Sequence, residues 1–415
     1  MNLINTSSKN WSAIDGGITA PNGFKASGIS AGLKNSKKMD LGLILAPKGS
    51  ICSGTFTQSS TRASCIDICL DRLRNNSGKI RAILINSGQA NAFTGSKGLN
   101  DCLLATSKLA KLLNLNVSEV LMSSTGVIGE RIKINNLLNS LNYLVNELND
   151  FGGSNAAEAI LTTDLVQKQI AYETYIDGYR ICIGGMAKGS GMIHPNMATM
   201  LSYLTCDAFV PHEIWDPMIK RVVKSSFNAI SVDGDTSTND TFLAINSGKP
   251  ISEKYFDILE NGLLLTAQYL AKSIARDGEG ANCLLEVTVR GTKSNEDAIN
   301  VARIISSSSL VKTAINGCDP NWGRIIAALG RSNVKIDLDQ LSLWIGENQI
   351  LENGEVLNFD KDIVVEYLRN RLKGEYMKDD KVSIFISVGT GQGFGQSWGC
   401  DLSTEYIRIN ADYTT

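Results

Sequence analysis

A glycine-rich loop followed by an apolar run lies near the middle of this 415-residue sequence, from Lys188 to Asp207. Glycine and proline interrupt its first half and predict a loop, whereas Met197 to Leu204 predicts a short strand or buried segment. Thr199 therefore falls at the mouth of a buried strand. If the Ala198–Thr199 bond breaks, the new amine of Thr199 can deprotonate its own hydroxyl, which is a recognised way to activate a weak nucleophile.

A plainer interpretation of Thr199 stands beside this one. A threonine at the start of a strand is often only a strand residue, because β-branched side chains pack well there. These residues by themselves leave both interpretations open.

A second candidate site follows a predicted strand at Val120 to Gly129. The strand leads into Ser123-Ser-Thr-Gly126, where a glycine after small polar residues allows backbone N–H groups to face a ligand. That arrangement meets the physical requirement for an oxyanion hole. A simple turn at the end of a strand is the alternative.

Three further segments carry polar groups in loops. The loop Asn86 to Ala92 follows a buried strand, and it is either a binding loop or a plain surface turn. Ser231 to Thr241 resembles a calcium loop, but counting from Asp233 puts Thr238 where an EF-hand needs glycine. A polar loop bordering an active site is the better interpretation. Glu279 is held between two glycines.

The pattern of the chain predicts alternating strands and helices. Ile170 to Met186 predicts a hairpin with Asp177-Gly178 as its turn. The predicted helices include Asn100 to Leu113, Asp257 to Ala275, and one after Gly317 with Asp319 as N-cap and Pro320 in its first turn. The alternating residues Glu405 to Ile409 predict a strand, followed by a short polar end that would usually fray.

The composition excludes several classes of protein. The chain is 43% hydrophobic and 20% charged, with a net charge of −2 and a pI near 5.9. It therefore lacks the excess of positive charge that is typical of proteins that bind nucleic acid or an acidic membrane. The length predicts two or three domains or one large two-layer α/β unit. We expect no signal peptide and no membrane helix.

The cysteines and histidines limit the kinds of disulfide and metal site that the chain could contain. Nine cysteines without a CxxC pair predict buried free thiols in a reducing compartment, and hence a cytoplasmic protein. The two histidines, His194 and His212, argue against a histidine-based zinc site. Gly389 to Gly395 lacks the spacing of a nucleotide loop. We therefore expect neither a metal nor a cofactor.

Six segments together resemble the ornithine acetyltransferase family, also called glutamate N-acetyltransferase (the ArgJ family). They extend in the family's order from about Gly23 to the C-terminus, and they are Lys188 to Leu201, Asn86 to Ala92, Ser123 to Gly129, Ser231 to Asp240, Asp319 to Ile325, and Trp398 to Leu402 with Ile409 to Tyr413. The resemblance implies an α/β (α+β) fold of two-layered sheets with flanking helices, the DmpA/ArgJ-like fold, plus a smaller C-terminal α/β domain.

The same resemblance implies a precursor that cuts itself between Ala198 and Thr199. The products are an α chain, residues 1–198, and a β chain, residues 199–415, that stay together. Thr199 matches the nucleophile, and Thr125 and Gly126 match the oxyanion hole. The residues that match substrate contacts are Thr162, Lys188, Thr199, Glu279, Asn410 and Thr415. The choice of Thr162 over Thr163 is left open.

The implied reaction transfers an acetyl group from N-acetylornithine to glutamate, with the acetyl carried on Thr199. The resemblance leaves open acetyl-CoA as a second donor, and it implies a heterotetramer of two α and two β chains without nucleic-acid or membrane partners. Two alternatives remain: a self-processing aminopeptidase or amidase with water as acceptor, and a non-catalytic binding protein with an unbroken chain.

Overall fold

Three β-sheets with helices packed against them make up the part of the protein that the computed structural model describes, residues 10–194 and 200–412. The strands are, in chain order, β1 Ser12–Ile14, β2 Lys25–Ile29, β3 Leu41–Leu45, β4 Ile51–Phe56, β5 Ala82–Gln89, β6 Val120–Val127, β7 Lys168–Ile176, β8 Tyr179–Lys188, β9 Leu201–Phe209, β10 Thr241–Pro250, β11 Leu284–Thr292, β12 Ser342–Ile345, β13 Asn348–Glu352, β14 Glu355–Val356, β15 Lys381–Ser387 and β16 Gly393–Cys400. The helices are α1 Ser64–Asn75, α2 Gly95–Leu113, α3 Ile134–Asn146, α4 Gly153–Ala159, α5 His212–Lys224, α6 Phe256–Arg276, α7 Asn295–Ser306, α8 Ser309–Asn316, α9 Trp322–Leu329, α10 Lys361–Leu372 and α11 Thr404–Ala411.

The central sheet has the strand order β1-β7-β8-β9-β10-β4. Strands β9 and β10 are parallel, and every other neighbouring pair in this sheet is antiparallel. Strands β8 and β9 pair from Ile183–Cys206 to Lys188–Leu201. The two strands that enter and leave the glycine-rich loop are therefore direct neighbours. Helices α5 and α6 pack against this sheet.

The second sheet has the order β2-β3-β5-β6, and helices α1 to α4 pack against it. Its strands β5 and β6 run parallel, so their carboxyl ends meet at one edge of the sheet. Both strands are almost completely buried apolar runs until they reach this edge, as expected for strands covered on both faces.

The third sheet, β14-β13-β12-β15-β11-β16, has its own hydrophobic core with α7, α8 and α9. It forms the smaller C-terminal α/β unit. With the other two sheets and their helices, it confirms the α/β fold class that the sequence predicts.

Several local predictions are confirmed. Strands β7 and β8 form the predicted hairpin, and Asp177 and Gly178 both have positive φ, 49° and 77°, as a two-residue turn requires. The long helix predicted near Asp257 is α6. All nine cysteines are free, and all are buried except Cys318, which is half-buried.

The prediction of a C-terminal strand is wrong, because residues 404–411 form helix α11. Ser403 caps this helix: its hydroxyl accepts a hydrogen bond from the Glu405 backbone N–H. The alternating pattern does not mark a buried face, since Ile407 remains 67% exposed.

Two helix starts also differ from prediction. Helix α2 begins at Gly95 rather than at Asn100; Gly98 lies in its first turn, close to the Thr94 side chain, where a larger residue would clash. Helix α9 begins at Trp322 with Asn321 as N-cap. Asp319 is not the cap, because it belongs to the preceding turn, where its carbonyl accepts the Asn321 N–H.

No helix within residues 10–194 and 200–412 is both long and apolar enough to cross a membrane.

The contact between β2 and α4 gives a test of the fold. Gly28 and Gly42 face each other across β2 and β3, but a Cβ on Gly28 would overlap the Asn155 carbonyl, whereas the nearest atom to a Cβ on Gly42 is 3.6 Å away. We expect Gly28→Ala to lower the free energy of unfolding by about 1–3 kcal/mol, because overpacking forces the backbone apart. Gly42→Ala, the matched control, should change it by less than about 0.5 kcal/mol. Urea unfolding measures both; equal effects would contradict this packing.

Candidate active site

The carboxyl end of β6 carries two of the predicted site residues, Thr125 and Gly126. Strands β5 and β6 pair here in register, Ser87 with Thr125 and Gly88 with Gly126. Gly126 has a φ of 130°, and a Cβ at this position would overlap the backbone of Gly88. Only glycine allows both this backbone conformation and the close approach of the two strands.

Lys188, the last residue of β8, reaches Thr125 from the neighbouring sheet. Its Nζ donates a hydrogen bond of 3.2 Å to Thr125 Oγ1, and both side chains are at least nine-tenths buried. An ammonium group can only donate, so the Thr125 hydroxyl is the acceptor in this bond. Its own hydrogen is therefore available to another acceptor in the site.

A buried carboxylate, Asp164, fixes the loops around Lys188. Asp164 Oδ1 accepts hydrogen bonds of 2.7 Å from Lys168 Nζ and from the backbone N–H of Gly189. Asp164 Oδ2 accepts the Thr162 N–H at 3.0 Å. The loop that carries Thr162 is thus tied to the first residue of the glycine-rich loop.

The charges in this cluster depend on one another. Burial by itself would raise the pKa of Asp164, but Lys168 and Lys188 together lower it well below its usual range. Burial lowers the pKa of Lys188, and Asp164 opposes that change. Lys168 also pairs with Asp277, 2.5 Å from its Nζ, and the side chains of all three ion-pair members are essentially inaccessible.

Glu279 and Asn410 form the opposite side of the site. Asn410 Nδ2 donates to Glu279 Oε2 at 2.8 Å. The Glu279 carboxylate lies against Gly191, where a Cβ would be only 2.6 Å from it. Helix α11 brings Asn410 here, and the Ser403 hydroxyl holds the start of that helix by donating to the Gly280 carbonyl at 2.6 Å.

The polar loop between a short 3-10 helix at residues 227–229 and β10 also reaches the site, as its composition predicts. Asn239 Nδ2 donates to the carbonyls of Ala90 and Ser124, at 2.6 and 2.9 Å. Thr238 Oγ1 donates to Asn239 Oδ1 at 2.6 Å. These bonds fasten the loop to the carboxyl end of the second sheet. The loop after β5 therefore has a supporting role through Ala90.

These residues meet around one cavity of about 330 Å³. Every predicted site residue that the structure describes lines it, and they are Thr125, Gly126, Thr162, Lys188, Glu279 and Asn410. Thr163 lines it as well, so the geometry does not separate it from Thr162. Ala198, Thr199 and Thr415 lie outside the described residues.

Hydrogen bonds hold the residues on both sides of the segment that contains Thr199. Asp233 accepts the backbone N–H groups of Met192 and Ile193, at 2.6 and 2.9 Å. On the other side, Thr241 N–H donates to the Met200 carbonyl at 2.9 Å. Met192 itself lines the cavity.

The site combines groups that suit an amino-acid substrate. A lysine, a threonine hydroxyl and backbone N–H groups can hold anionic oxygens, and a carboxylate can hold an ammonium group. Within residues 10–194 and 200–412, no group of three or more His, Cys, Asp or Glu side chains is arranged to hold a metal ion.

Sequence analysis did not identify Asp164, Lys168 and Asp277 as an ion cluster. Lys168 and Asp277 are 109 residues apart, and a lysine at the start of a strand gives no sign that it will be buried. Thr162-Thr-Asp164 was recognisable only as a polar break after a short helix.

The buried ion cluster gives a test of what holds the site together. Lys168→Met should lower the free energy of unfolding by about 3–5 kcal/mol, because it leaves two buried carboxylates without their cation. Lys220→Met is the control, since it removes an exposed lysine that pairs with Asp216; we expect less than about 0.5 kcal/mol there. Urea unfolding followed by circular dichroism measures both. Similar small changes in both variants would contradict the role of the cluster.

Comparisons with known proteins agree with one another. The model of the ArgJ family matches residues 25–415. The chain is similar to the arginine biosynthesis bifunctional protein ArgJ of Prochlorococcus marinus strain NATL2A, 60% identical over 415 residues, covering 100% of this chain and 99% of that protein. It is 57% identical to the protein of the same name from P. marinus strain SARG, over 98% of this chain and 99% of that protein.

A solved structure, ornithine acetyltransferase of Mycobacterium tuberculosis complexed with ornithine, is 35% identical with a TM-score of 0.42; the match covers 46% of this chain and 100% of that chain. The family model and the two relatives extend over nearly the whole sequence. The chain belongs to the ArgJ family.

Proposed function

We propose that this protein cuts itself between Ala198 and Thr199, and that Thr199 then carries an acetyl group from N-acetylornithine to glutamate. The observation that carries the proposal is that Thr125, Gly126, Lys188, Glu279 and Asn410 line one cavity. Met192, which precedes the Thr199 segment, lines the same cavity, and backbone hydrogen bonds hold residues on both sides of that segment. The family to which the chain belongs, and the arginine biosynthesis in its relatives' names, support the same reaction.

Cleavage makes Thr199 a nucleophile with its own base. The Thr199 Oγ attacks the Ala198 carbonyl, an ester replaces the amide, and water then releases the first chain. The new α-amine has a reference pKa of about 7.7–8.0, so a large fraction is neutral near pH 7.5 and can accept the hydroxyl proton.

The position of the cut explains how the two products, residues 1–198 and 199–415, stay together. The cut falls between β8 and β9, which are antiparallel neighbours in the middle of the central sheet. Every ladder hydrogen bond between them survives the loss of the connecting peptide bond. Strand β9 is also paired with β10, so it is held in the sheet by neighbours on both sides.

In the transfer step, the acetyl carbonyl oxygen of the donor faces Thr125 and Gly126. The free hydrogen of the Thr125 hydroxyl can bond the developing oxyanion, and one such donor is typically worth about 2.7–4 kcal/mol of barrier. N-acetylornithine and glutamate share an α-carboxylate, which Lys188 can bind with the donors that its bond to Thr125 leaves over. Glu279, oriented by Asn410, is suited to the ornithine side-chain ammonium.

We also propose acetyl-CoA as a second acetyl donor. A larger cavity of about 760 Å³ adjoins the first one and shares Gly126, Val127, Thr162 and Thr163 with it. That volume can hold the long arm of a thioester donor while its acetyl group reaches the oxyanion donors. The word bifunctional in the relatives' names agrees with two reactions.

Intact mass of the purified protein tests the self-cleavage. We expect two fragments that divide before Thr199 in the wild type, and one full-length chain in Thr199→Ala, because alanine has no nucleophile. Ser202→Ala is the control: it removes a buried hydroxyl three residues away that has no hydrogen-bond partner among residues 10–194 and 200–412. This control should still be cut. An uncut wild type, or a cut Thr199→Ala chain, would contradict the proposal.

A further inference from the structure

A third polar cavity, separate from the candidate active site, lies between the C-terminal unit and the glycine-rich loop. Its volume is about 440 Å³, and it shares no lining residue with the two cavities described above. The residues that line it are His194, Asn300, Arg303, Ile304, Ser307 and Arg331. The proposed acetyl transfer uses none of them.

Helix α7 builds most of this cavity. The residues that α7 and its C-cap contribute follow the i, i+3, i+4, i+7 spacing of one helix face, and they are Asn300, Arg303, Ile304 and Ser307. The turn after α9 adds Arg331. Asn300 Nδ2 donates to the Ser332 carbonyl at 3.2 Å, so this turn is tied to α7. The two arginines therefore line the cavity from elements that are held together.

His194 orients one of these arginines from the side of the glycine-rich loop. Arg303 Nη2 donates to His194 Nε2 at 2.9 Å, since a guanidinium group can only donate. Burial and the charge of Arg303 lower the pKa of His194 to about 4, so the imidazole is neutral near pH 7. Its Nδ1 then carries the proton and donates to Ser231 Oγ at 2.9 Å. The bond to His194 uses one of the five N–H donors of Arg303.

The cavity contains two cations and no carboxylate. No Asp or Glu lines it, and among residues 10–194 and 200–412 neither Arg303 nor Arg331 forms an ion pair. Burial lowers the pKa of Arg303, because its guanidinium group is partly removed from water. Charges that are removed from water are normally paired. An anion from outside the chain would supply the partner.

We propose that this cavity binds a phosphate group, either free or on a small ester, and that Arg303 and Arg331 hold its oxygens. Arginine can bind phosphate through two parallel N–H···O bonds. A phosphate monoester carries about −1.5 to −2 charges near pH 7, which matches two guanidinium groups better than a single carboxylate does. The volume lies within the range of about 300–1,000 Å³ that small-molecule sites occupy.

A purely structural role of the two arginines is the alternative. Arg303 lies in the last turn of α7, and Arg331 follows the end of α9, so the dipole of each helix favours a cation there. In that case, replacing either arginine would change stability but would not change the affinity for phosphate. The affinity of the variants therefore separates the two roles.

The test is a titration of the full-length protein with inorganic phosphate and with ribose 5-phosphate at low ionic strength, followed by ³¹P NMR. We expect saturable binding that is weakened at least about 10-fold in Arg303→Met and in Arg331→Met, because hydrogen bonds to charged groups typically contribute that much or more. Arg369→Met, which removes an exposed arginine of α10, is the matched control and should bind as the wild type does.

Two features of the variants keep the test independent of folding. Arg331 is exposed, so we expect Arg331→Met to keep the wild-type circular dichroism spectrum. If Arg303→Met does not keep it, Arg303→Lys takes its place. Lysine retains the charge but not the two parallel donors, so the affinity of Arg303→Lys should lie between those of the wild type and Arg331→Met.

The outcomes are distinct from those that test the proposed acetyl transfer. Tighter binding of ribose 5-phosphate than of inorganic phosphate would identify an ester as the ligand, and equal affinities would identify free phosphate; both support the site. Absence of saturable binding in the wild type would overturn it. Wild-type affinity in the folded Arg303 and Arg331 variants would also overturn it, since phosphate would then be binding elsewhere, for example beside Lys188.

Discussion

The carboxylate of Asp164 is buried among Lys168, Lys188 and the backbone N–H groups of two loops. A carboxylate in this position is stable only because cations and hydrogen bonds surround it, and the cations are stable only because of the carboxylate. The cluster therefore fixes several segments at once: the loop with Thr162, the start of β7, the end of β8 and the glycine-rich loop. Through its hydrogen bond to Thr125, Lys188 then connects this cluster to the second sheet.

The fold is compatible with the proposed cut in the middle of the chain. Antiparallel neighbours in a sheet are held by their ladder, so the connecting loop is not needed once the strands have paired. Strand β9, which follows the proposed cut, is also paired with β10. Because the groups around the cavity come from distant parts of the sequence, the site forms only when these segments have folded together. We therefore expect folding to precede the proposed cleavage, which would supply the amine of Thr199.

Much of the fold and of the candidate site could be predicted from the sequence, wherever the pattern that determines them lies within one short segment. The Asp177-Gly178 turn specified a hairpin, and the pattern of buried and polar residues specified β6 and α6. The C-terminal helix differs from the predicted strand because polar and apolar residues alternate from Glu405 to Ile409. In the structure, the Ser403 hydroxyl caps a helix over these residues instead. Motif resemblance predicted site residues such as Lys188 and Glu279, which meet at the cavity.

The rest depends on contacts between distant segments. Lys168 meets Asp277 across 109 residues, and Asn239 meets Ala90 across 149. Neither lysine nor asparagine carries a local sign of such a partner, since both residue types are usually exposed. Asp240 is similar: its sequence neighbours indicate a polar loop, yet the folded chain buries it to 2% exposure.

The central claim is that Thr199 carries the acetyl group, and the mass of the peptide that begins with Thr199 tests it most directly. The mature protein is mixed with N-acetylornithine in the absence of glutamate, quenched and digested. We expect one acetyl group on this peptide, the release of one equivalent of ornithine, and loss of the acetyl group when glutamate is added. Continuous release of ornithine without glutamate and without an acetylated peptide would contradict it and would favour an amidase that uses water as the acceptor.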